Sequence, residues 1–162
     1  MTMMILLVED GNGRGQVAGV GLLSTEEREV LEWMLNEFKK DNEESCGAIK
    51  CLMTDKDLTE RDVLKELFPG VPTYICTFHT LKTFKKVVNS SNMNLTNEEK
   101  IIAATILEKL VYASSEERYA ELYLELNLSC PLQLVEYFKI NWHNIREDWS
   151  MYSLMKNNLG NN

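Results

Sequence analysis

The sequence lacks the features that mark several common protein classes. Its 162 residues contain only four cysteines, which is too few for the disulfide framework of a small secreted domain and predicts reduced thiols in an intracellular protein. No segment approaches the ~20 apolar residues that span a bilayer. The opening apolar run, Met3 to Val8, is too short for a signal-peptide core and has no basic flank. We therefore predict an intracellular protein without a membrane partner.

Basic charge is also scarce. There are 17 Lys and Arg residues against 25 Asp and Glu residues, so the formal net charge is −8. This balance argues against a free-standing DNA-binding module, which normally has a basic footprint. Hydrophobic residues make up 44% of the chain, which is enough for a folded core. The length suits a domain of ordinary size.

The N-terminal part predicts an antiparallel hairpin. Two apolar runs, Met3 to Val8 and Val17 to Leu23, flank a turn rich in Asp, Asn and Gly, residues that tolerate positive φ. The glycine spacing does not fit a phosphate-binding loop, so we favour a turn. In the helix that follows, Ser24 and Glu27 are a predicted capping box. Its apolar stripe, at helical spacing, is Val30, Leu31, Met34, Leu35 and Phe38.

The stretch from Ile49 to Lys86 reads as strand, helix, strand and helix. The first apolar run ends on Asp55, and the next, Thr73 to Phe78, ends on His79, where a basic helix is predicted to start. A strand, a crossover helix and a strand imply parallel pairing. Ligands of open α/β sheets bind at the carboxyl ends of the strands. Asp55, Cys76 and His79 are therefore candidate site residues. In the intervening helix, Glu60 to Phe68, Thr59 and Asp62 are a predicted capping pair, and Asp57 is a predicted solvated turn residue.

The remainder reads as a polar linker, 89–97, followed by helices over about 97–113, 116–127 and 131–156. Thr96, Ser115 and Ser129 are predicted caps, and Pro131 suits a first helical turn. The predicted inner faces are Ile102, Thr105, Ile106 and Leu110; then Tyr119, Leu122, Tyr123 and Leu126; then a continuous seam of Val135, Phe138, Trp142, Ile145 and Trp149.

Three motifs, in this order and spacing, resemble a known family. They are T-D-K-D before a helix, F-P after it and C-x-x-H after the following strand, within LMTDKDLTERDVLKELFPGVPTYICTFHTLKTFKK. With VEDGNGRGQVAGVGLL before them, they resemble the RNase H-like domain of SWIM-type zinc-finger proteins of the one and three subfamily. That domain is similar to the catalytic domain of Mutator-like (MULE) DDE transposases. The run EYFKINWHNIREDWSMY looks like the helical insertion of those transposases, so the resemblance covers nearly the whole chain.

The resemblance implies a set of expectations about catalysis. Active members hold two metal ions between carboxylates, which stabilise the attacking and leaving oxygens at phosphorus. Asp55 matches the second Asp of that set. Asp10 is a possible first carboxylate, although its place in the pattern matches the glycine turn, which explains an Asp without catalysis. On this alignment the strand that bears the first Asp would precede Met1, and the helix that bears the Glu would follow Asn162. Asp55 is then a relic that caps a turn or the next helix.

Two further groups have alternative interpretations. Cys76 and His79 match the family's C-x-x-H motif and are expected to line the ancestral site. Two ligands are only half of a closed zinc site, so we favour a thiol and a histidine near a helix start over zinc. Lys82, Lys85 and Lys86 share one helix face. This face is either solvated or a nucleic-acid contact with a salt slope of about −3.

We interpret the chain as an α/β protein with an RNase H-like mixed sheet and an all-helical C-terminal insertion. The sheet is predicted to be incomplete because its first strand is missing. The predicted domains are 1–88 and 89–162. The resulting hypothesis is a transposase-derived, non-catalytic, nuclear domain that needs no cofactor and contacts nucleic acid or protein. One alternative is a DDE-type transposase or nuclease that uses Mg²⁺, with Asp10 and Asp55 as ligands. Another is a pure protein-interaction module that works through an exposed sheet edge, which invites association.

Overall fold

The structure is a computed structural model that describes residues 1–9 and 14–156. These residues form two compact units, Met1–Thr73 and the part from Tyr74 onward. Each unit has its own apolar core. Within the described ranges, no helix is both long and apolar enough to cross a membrane.

The first unit begins with the predicted hairpin, which is confirmed. Strand β1, Thr2–Glu9, pairs antiparallel with β2, Gly15–Leu23. An irregularity in the register between Leu6 and Leu7 places Leu7 opposite Val17. Residues 10–13, which lie between the two strands in the sequence and include the candidate Asp10, are outside the described residues.

Helix α1, Arg28–Asp41, follows the hairpin and packs against it. The predicted stripe is confirmed: Leu31, Met34 and Leu35 are buried, with Val30 and Phe38 packed beside them. The predicted cap is wrong. Glu27 is the N-cap and Ser24 lies outside the helix. The Glu27 carboxylate instead accepts a hydrogen bond from the Thr25 hydroxyl at 3.2 Å. A short helix α2, Glu43–Gly47, comes next.

The rest of the first unit contains β3, Leu52–Thr54, and α3, Leu58–Leu67. Strand β4, Thr73–Ile75, pairs with β3. The predicted order of strand, helix and strand is therefore present. Among the described residues these strands form a two-stranded sheet separate from β1 and β2, and not the one mixed sheet that we predicted. Strand β3 ends before Asp55, and a helix begins at Thr77, two residues after the end of β4.

The second unit is helical after β4. Its elements are α4, Thr77–Val88; a 3₁₀ turn, Ser91–Met93; α5, Asn97–Val111; α6, Glu116–Ser129; α7, Leu132–Asn141; a 3₁₀ segment, His143–Asp148; and α8, Met151–Lys156.

The helix caps of this unit follow the prediction in two places. Thr96 and Glu99 form a reciprocal capping box at α5, and the Ser115 hydroxyl accepts from the Arg118 N–H at 3.1 Å at α6. The predicted cap at Ser129 is wrong, because this residue is the last of α6 and Pro131 is the N-cap of α7.

The inner face of α5 differs from the predicted one. Ile106 and Leu110 are buried as expected, but Ile102 and Thr105 are exposed. Apolar residues lie on more than one side of this helix, so spacing alone does not identify the buried side. The buried residues of α5 are Ala103, Ile106, Leu107, Leu110 and Val111. On α6 the prediction holds, with Tyr119, Leu122 and Leu126 buried and Tyr123 partly buried.

The predicted continuous helix over 131–156 is wrong, although most of its seam is buried. The chain leaves helical geometry at Trp142, where φ is −136°, and again at Trp149, where φ is −142°. The Trp149 indole N–H donates to the Trp142 carbonyl at 3.0 Å, which satisfies a backbone acceptor at the break. Both indoles pack edge-on against Phe84 in an aromatic core.

The two compact units divide earlier than the predicted boundary at residue 88. Helix α4 packs on α5, and its buried Phe84 and Val88 belong to the helical core. The predicted boundary followed a polar linker in the sequence, whereas the compact units follow side-chain packing. The assignment of domains at 1–88 and 89–162 stays a prediction.

We expect the two kinds of tryptophan to differ in their effect on stability. Trp149→Ala should lower the free energy of unfolding by about 3–5 kcal/mol, because it empties the centre of a buried aromatic cluster. The control is Trp33→Ala, whose side chain is 63% exposed, with an expected change within about 0.5 kcal/mol. Urea denaturation measures both. Equal losses would contradict the packing described for the helical unit.

Candidate functional site

The predicted site residue Asp55 lies directly after β3 and makes a local turn. Its Oδ1 accepts the Asp57 backbone N–H at 2.7 Å. Asp57 Oδ1 in turn accepts the Glu60 backbone N–H at 2.8 Å, which makes Asp57 the N-cap of α3. The predicted capping pair Thr59 and Asp62 is therefore wrong, since the helix begins before Thr59. Asp57 is a cap and not merely a solvated turn residue. Both aspartates hold the chain in its path from strand to helix.

Three acidic residues, Asp55, Asp57 and Glu60, lie near this turn, and the pKa of Glu60 is shifted. Burial raises the pKa of the Glu60 carboxyl, a hydrogen bond with Thr54 opposes the rise, and the charges of Asp55 and Asp57 add to it. Burial also lowers the pKa of Lys56 beside them. Within the described residues, no group of three or more His, Cys, Asp or Glu side chains is arranged to hold a metal ion.

The Cys76 and His79 pair lies at the start of α4, in the second unit. Cys76 is the N-cap, and its carbonyl accepts both the N–H and the hydroxyl of Thr80, at 2.9 and 3.1 Å. Helical geometry therefore begins at Thr77 and not at His79, so the prediction that His79 ends the strand is wrong. His79 is exposed and contacts the Phe78 ring edge to face.

The other histidine, His143, is held elsewhere in the helical unit. Its ring stacks on Tyr123 with centroids 3.9 Å apart, and Nδ1 lies 3.3 Å from the Tyr119 hydroxyl. Burial lowers the pKa of His143, and the positive charges of Arg146 and Lys139 lower it further. These contacts indicate that His143 packs against the aromatic residues of the helical unit.

The three candidate lysines share the exposed side of α4. Lys82, Lys85 and Lys86 are all solvent-exposed, and α4 contains no acidic residue. Lys85 and Lys86 lie in the last turn, where positive charge complements the helix dipole. The arrangement can contact phosphates or remain solvated.

The outer face of the hairpin is a feature that the sequence reasoning did not identify. Three cross-strand pairs, Met3 with Leu22, Ile5 with Val20 and Leu7 with Val17, point away from the core, and these six side chains are each exposed by 46% to 65%. A signal was present in the sequence. A strand with one solvated face normally alternates apolar and polar residues, whereas both runs are apolar without interruption.

The inner face of the hairpin lies unusually close to α1. A Cβ atom built on Gly21 would be 2.7 Å from Met34 Cε, and one built on Gly19 would be 3.2 Å from the Phe38 ring. Only glycine permits this approach without displacing the partner side chains. Beside it is a groove of about 310 Å³ between β2 and α1, lined by Gly19, Val20, Gly21, Leu22, Leu23, Trp33, Met34, Glu37, Phe38 and Asp41.

The hairpin, α1, β3, α3 and the start of β4 together match a known family. Residues 1–74 match the family model for zinc finger SWIM domain-containing protein 1/3, RNase H-like domain. The predicted resemblance is confirmed for this part of the chain. The match ends one residue beyond Thr73, the last residue of the first compact unit. The likeness of the helical part to a transposase insertion stays a prediction.

We expect the acidic turn of this RNase H-like segment to make stability depend on pH. The pKa of the Glu60 carboxyl is higher in the folded state than its ordinary value of 4.5. Protonated Glu60 therefore stabilises the fold below pH 4.5, and this stabilisation is lost as the pH rises through the folded-state pKa. Glu60→Gln removes this loss. Its melting temperature relative to the native sequence should therefore be higher at pH 7 than at pH 4.

The control for simple loss of a negative charge is Glu44→Gln, at an exposed position of α2. Thermal melts of the three proteins at both pH values make the comparison. If Glu60→Gln and Glu44→Gln shift with pH in the same way, the burial of Glu60 is not the cause.

Proposed function

We propose that this chain is a non-catalytic, RNase H-like protein-interaction module. The observation that carries the proposal is the outer face of the hairpin, where six apolar side chains form three exposed cross-strand pairs. Soluble monomers rarely expose a contiguous apolar patch of more than a few hundred Å², and larger ones mark interaction surfaces. Burial of such a surface releases roughly 25 cal/mol per Å² of apolar area.

The chemistry of this face favours a second copy of the chain as its occupant. The six side chains carry no charge, so the face complements itself. Two copies related by a twofold axis place the same patch on both sides of the interface. Sheets that pack face to face lie about 10 Å apart with interdigitated side chains. The net charge of −8 opposes association only weakly at ordinary salt, because charges beyond about 8–10 Å are screened.

The local roles of Asp55 and Asp57 support the non-catalytic part of the proposal. One carboxylate oxygen of Asp55 is engaged in the turn, and one of Asp57 caps α3. These hydrogen bonds give both acids a structural reason to be present. A nuclease that used Mg²⁺ would need the Asp55 carboxylate together with further oxygen ligands.

We expect a charge at the centre of the outer face to weaken self-association. Ile5→Lys should raise the dimer dissociation constant at least about tenfold, which corresponds to ~1.4 kcal/mol, because it places an ammonium group in an apolar interface. Sedimentation velocity across the micromolar range gives the constants. The matched control is Leu58→Lys, at an exposed apolar position of α3, and it should leave association unchanged. A strict monomer over this range, or equal effects of both variants, would rule out the proposed surface.

A second candidate function is contact with duplex DNA through α4. Its support is the exposed face of Lys82, Lys85 and Lys86 on a helix without acidic residues. Each phosphate contact adds about 0.9 to the salt slope on duplex DNA. If these lysines bind DNA, replacement of all three with Gln should reduce the slope by about 2.7. Fluorescence anisotropy with labelled duplex DNA at several salt concentrations measures the slope.

The control for the DNA experiment is Lys100→Gln with Lys109→Gln, which removes lysines from α5. An unchanged slope in the α4 variant would reject DNA contact through this helix.

The same DNA, incubated with Mg²⁺ or Mn²⁺, should stay intact. Cleavage that disappears in an Asp55→Ala variant would reject the non-catalytic proposal and favour the nuclease alternative.

A further inference from the structure

The groove between β2 and α1 combines a strand edge with a helix face. In the described part of the chain, β1 is the strand that pairs with β2. The opposite edge of β2 therefore presents backbone N–H and C=O groups, as edge strands do. Residues Gly19 to Leu23 line one side of the groove, and Trp33, Glu37 and Asp41 line the other.

The two walls of the groove run antiparallel and in step. Gly21 faces Met34, and Gly19 faces Phe38, so two residues of β2 cover the same distance as four residues of α1. This agrees with a rise of about 3.3 Å per strand residue and 1.5 Å per helix residue. Trp33, Glu37 and Asp41 are themselves four residues apart. Alternate side chains of a strand added along β2 would therefore meet them one after another.

The charges on the helix wall select the chemistry of such a strand. Glu37 and Asp41 are exposed, and among the described residues neither carboxylate forms an ion pair within 4.0 Å. Trp33 is 63% exposed at the end of the same stripe. An apolar residue that contacts Trp33, followed by basic residues two and four positions away, would complement the whole wall. The volume of about 310 Å³ suits a few side chains and not a folded domain.

We propose that this groove binds an extended, basic peptide segment of a partner protein, which adds to β2 as a further strand. Main-chain hydrogen bonds to the β2 edge supply affinity, and the stripe of Trp33, Glu37 and Asp41 supplies specificity for an apolar-x-basic-x-basic pattern. Gly19 and Gly21 bring α1 close to β2, so one short segment can contact the strand edge and the helix stripe together. Nucleic acid is disfavoured as the occupant, because both charged groups of the wall are acidic.

The binding test uses the full chain and a synthetic peptide of sequence LTKTKT that carries a fluorescent label. Its Leu and two Lys residues lie on one face when the peptide is extended. Fluorescence anisotropy should show saturable binding that weakens at high salt. The acidic peptide LTETET should bind at least about tenfold more weakly, a difference of ~1.4 kcal/mol. Equal binding of the two peptides, or no binding of LTKTKT, would overturn the proposal.

A charge exchange locates the site. Glu37→Lys with Asp41→Lys should weaken LTKTKT at least about tenfold and strengthen LTETET. Both positions lie in the C-terminal half of α1, where lysine favours the helix, so the fold should persist. The control, Glu108→Lys with Glu136→Lys, changes the net charge by the same amount at exposed positions of the helical unit. Equal effects of the two double variants would show general electrostatics and reject the groove.

Strand addition is tested through the peptide backbone, which leaves the protein unchanged. Two versions of LTKTKT are N-methylated at alternate residues, in one register or the other. An added strand uses the N–H groups of alternate residues toward its neighbour, so one version should lose binding and the other should retain it. Equal retention in both would reject strand addition. Val20 and Leu22 belong both to the groove and to the outer face, but the protein variants used here lie on α1 and in the helical unit, so the result for Ile5→Lys is a separate outcome.

Discussion

The close approach of β2 to α1 is the constraint on which the first unit depends. Gly19 and Gly21 allow the strand to lie against Met34 and Phe38. On the same side of the hairpin Leu23 is buried, and Met4 and Leu6 are partly buried. A two-stranded sheet can turn only one face toward a single helix. The same packing therefore leaves the outer apolar face exposed and the β2 edge beside α1 open. Both proposed protein contacts follow from this one arrangement.

The helical unit is stabilised differently. Its centre is a cluster of aromatic rings around Trp149, which contacts Phe84, Phe138, Trp142 and Tyr119. The indole N–H of Trp149 also satisfies the backbone at the break after α7. One residue thus fills the core and fixes the path of the chain. The Ile145 N–H donates to the same Trp142 carbonyl at 3.2 Å, so the indole adds a second hydrogen bond at the break, worth about 0.5–1.5 kcal/mol.

Much of the fold could be predicted because local patterns and packing agree. The hairpin, the α1 stripe and the caps at Thr96 and Ser115 all follow from spacing and turn chemistry. The helix over 131–156 could not be predicted, since the burial pattern of Trp142 and Trp149 is the same whether the helix continues or bends.

The site was only partly predictable. The motif located Asp55 at the end of a strand, but its hydrogen bond to Asp57 depends on backbone geometry. The groove depends on which side of β2 faces α1, and no local pattern encodes that.

The distribution of charge is more informative than its sum. A net charge of −8 argues against DNA for the chain as a whole, yet α4 presents three exposed lysines and no acid. The outer face of the hairpin is uncharged, and the groove beside α1 carries Glu37 and Asp41. Three surfaces therefore differ in the sign of their charge, and each favours a different class of partner. The proposed partner of the apolar hairpin face is another apolar face. The proposed partner of the acidic groove is a basic strand, and that of the basic helix α4 is phosphate. The specificity of the proposed contacts accordingly depends on local surfaces, because long-range fields are screened within about 8–10 Å at physiological salt.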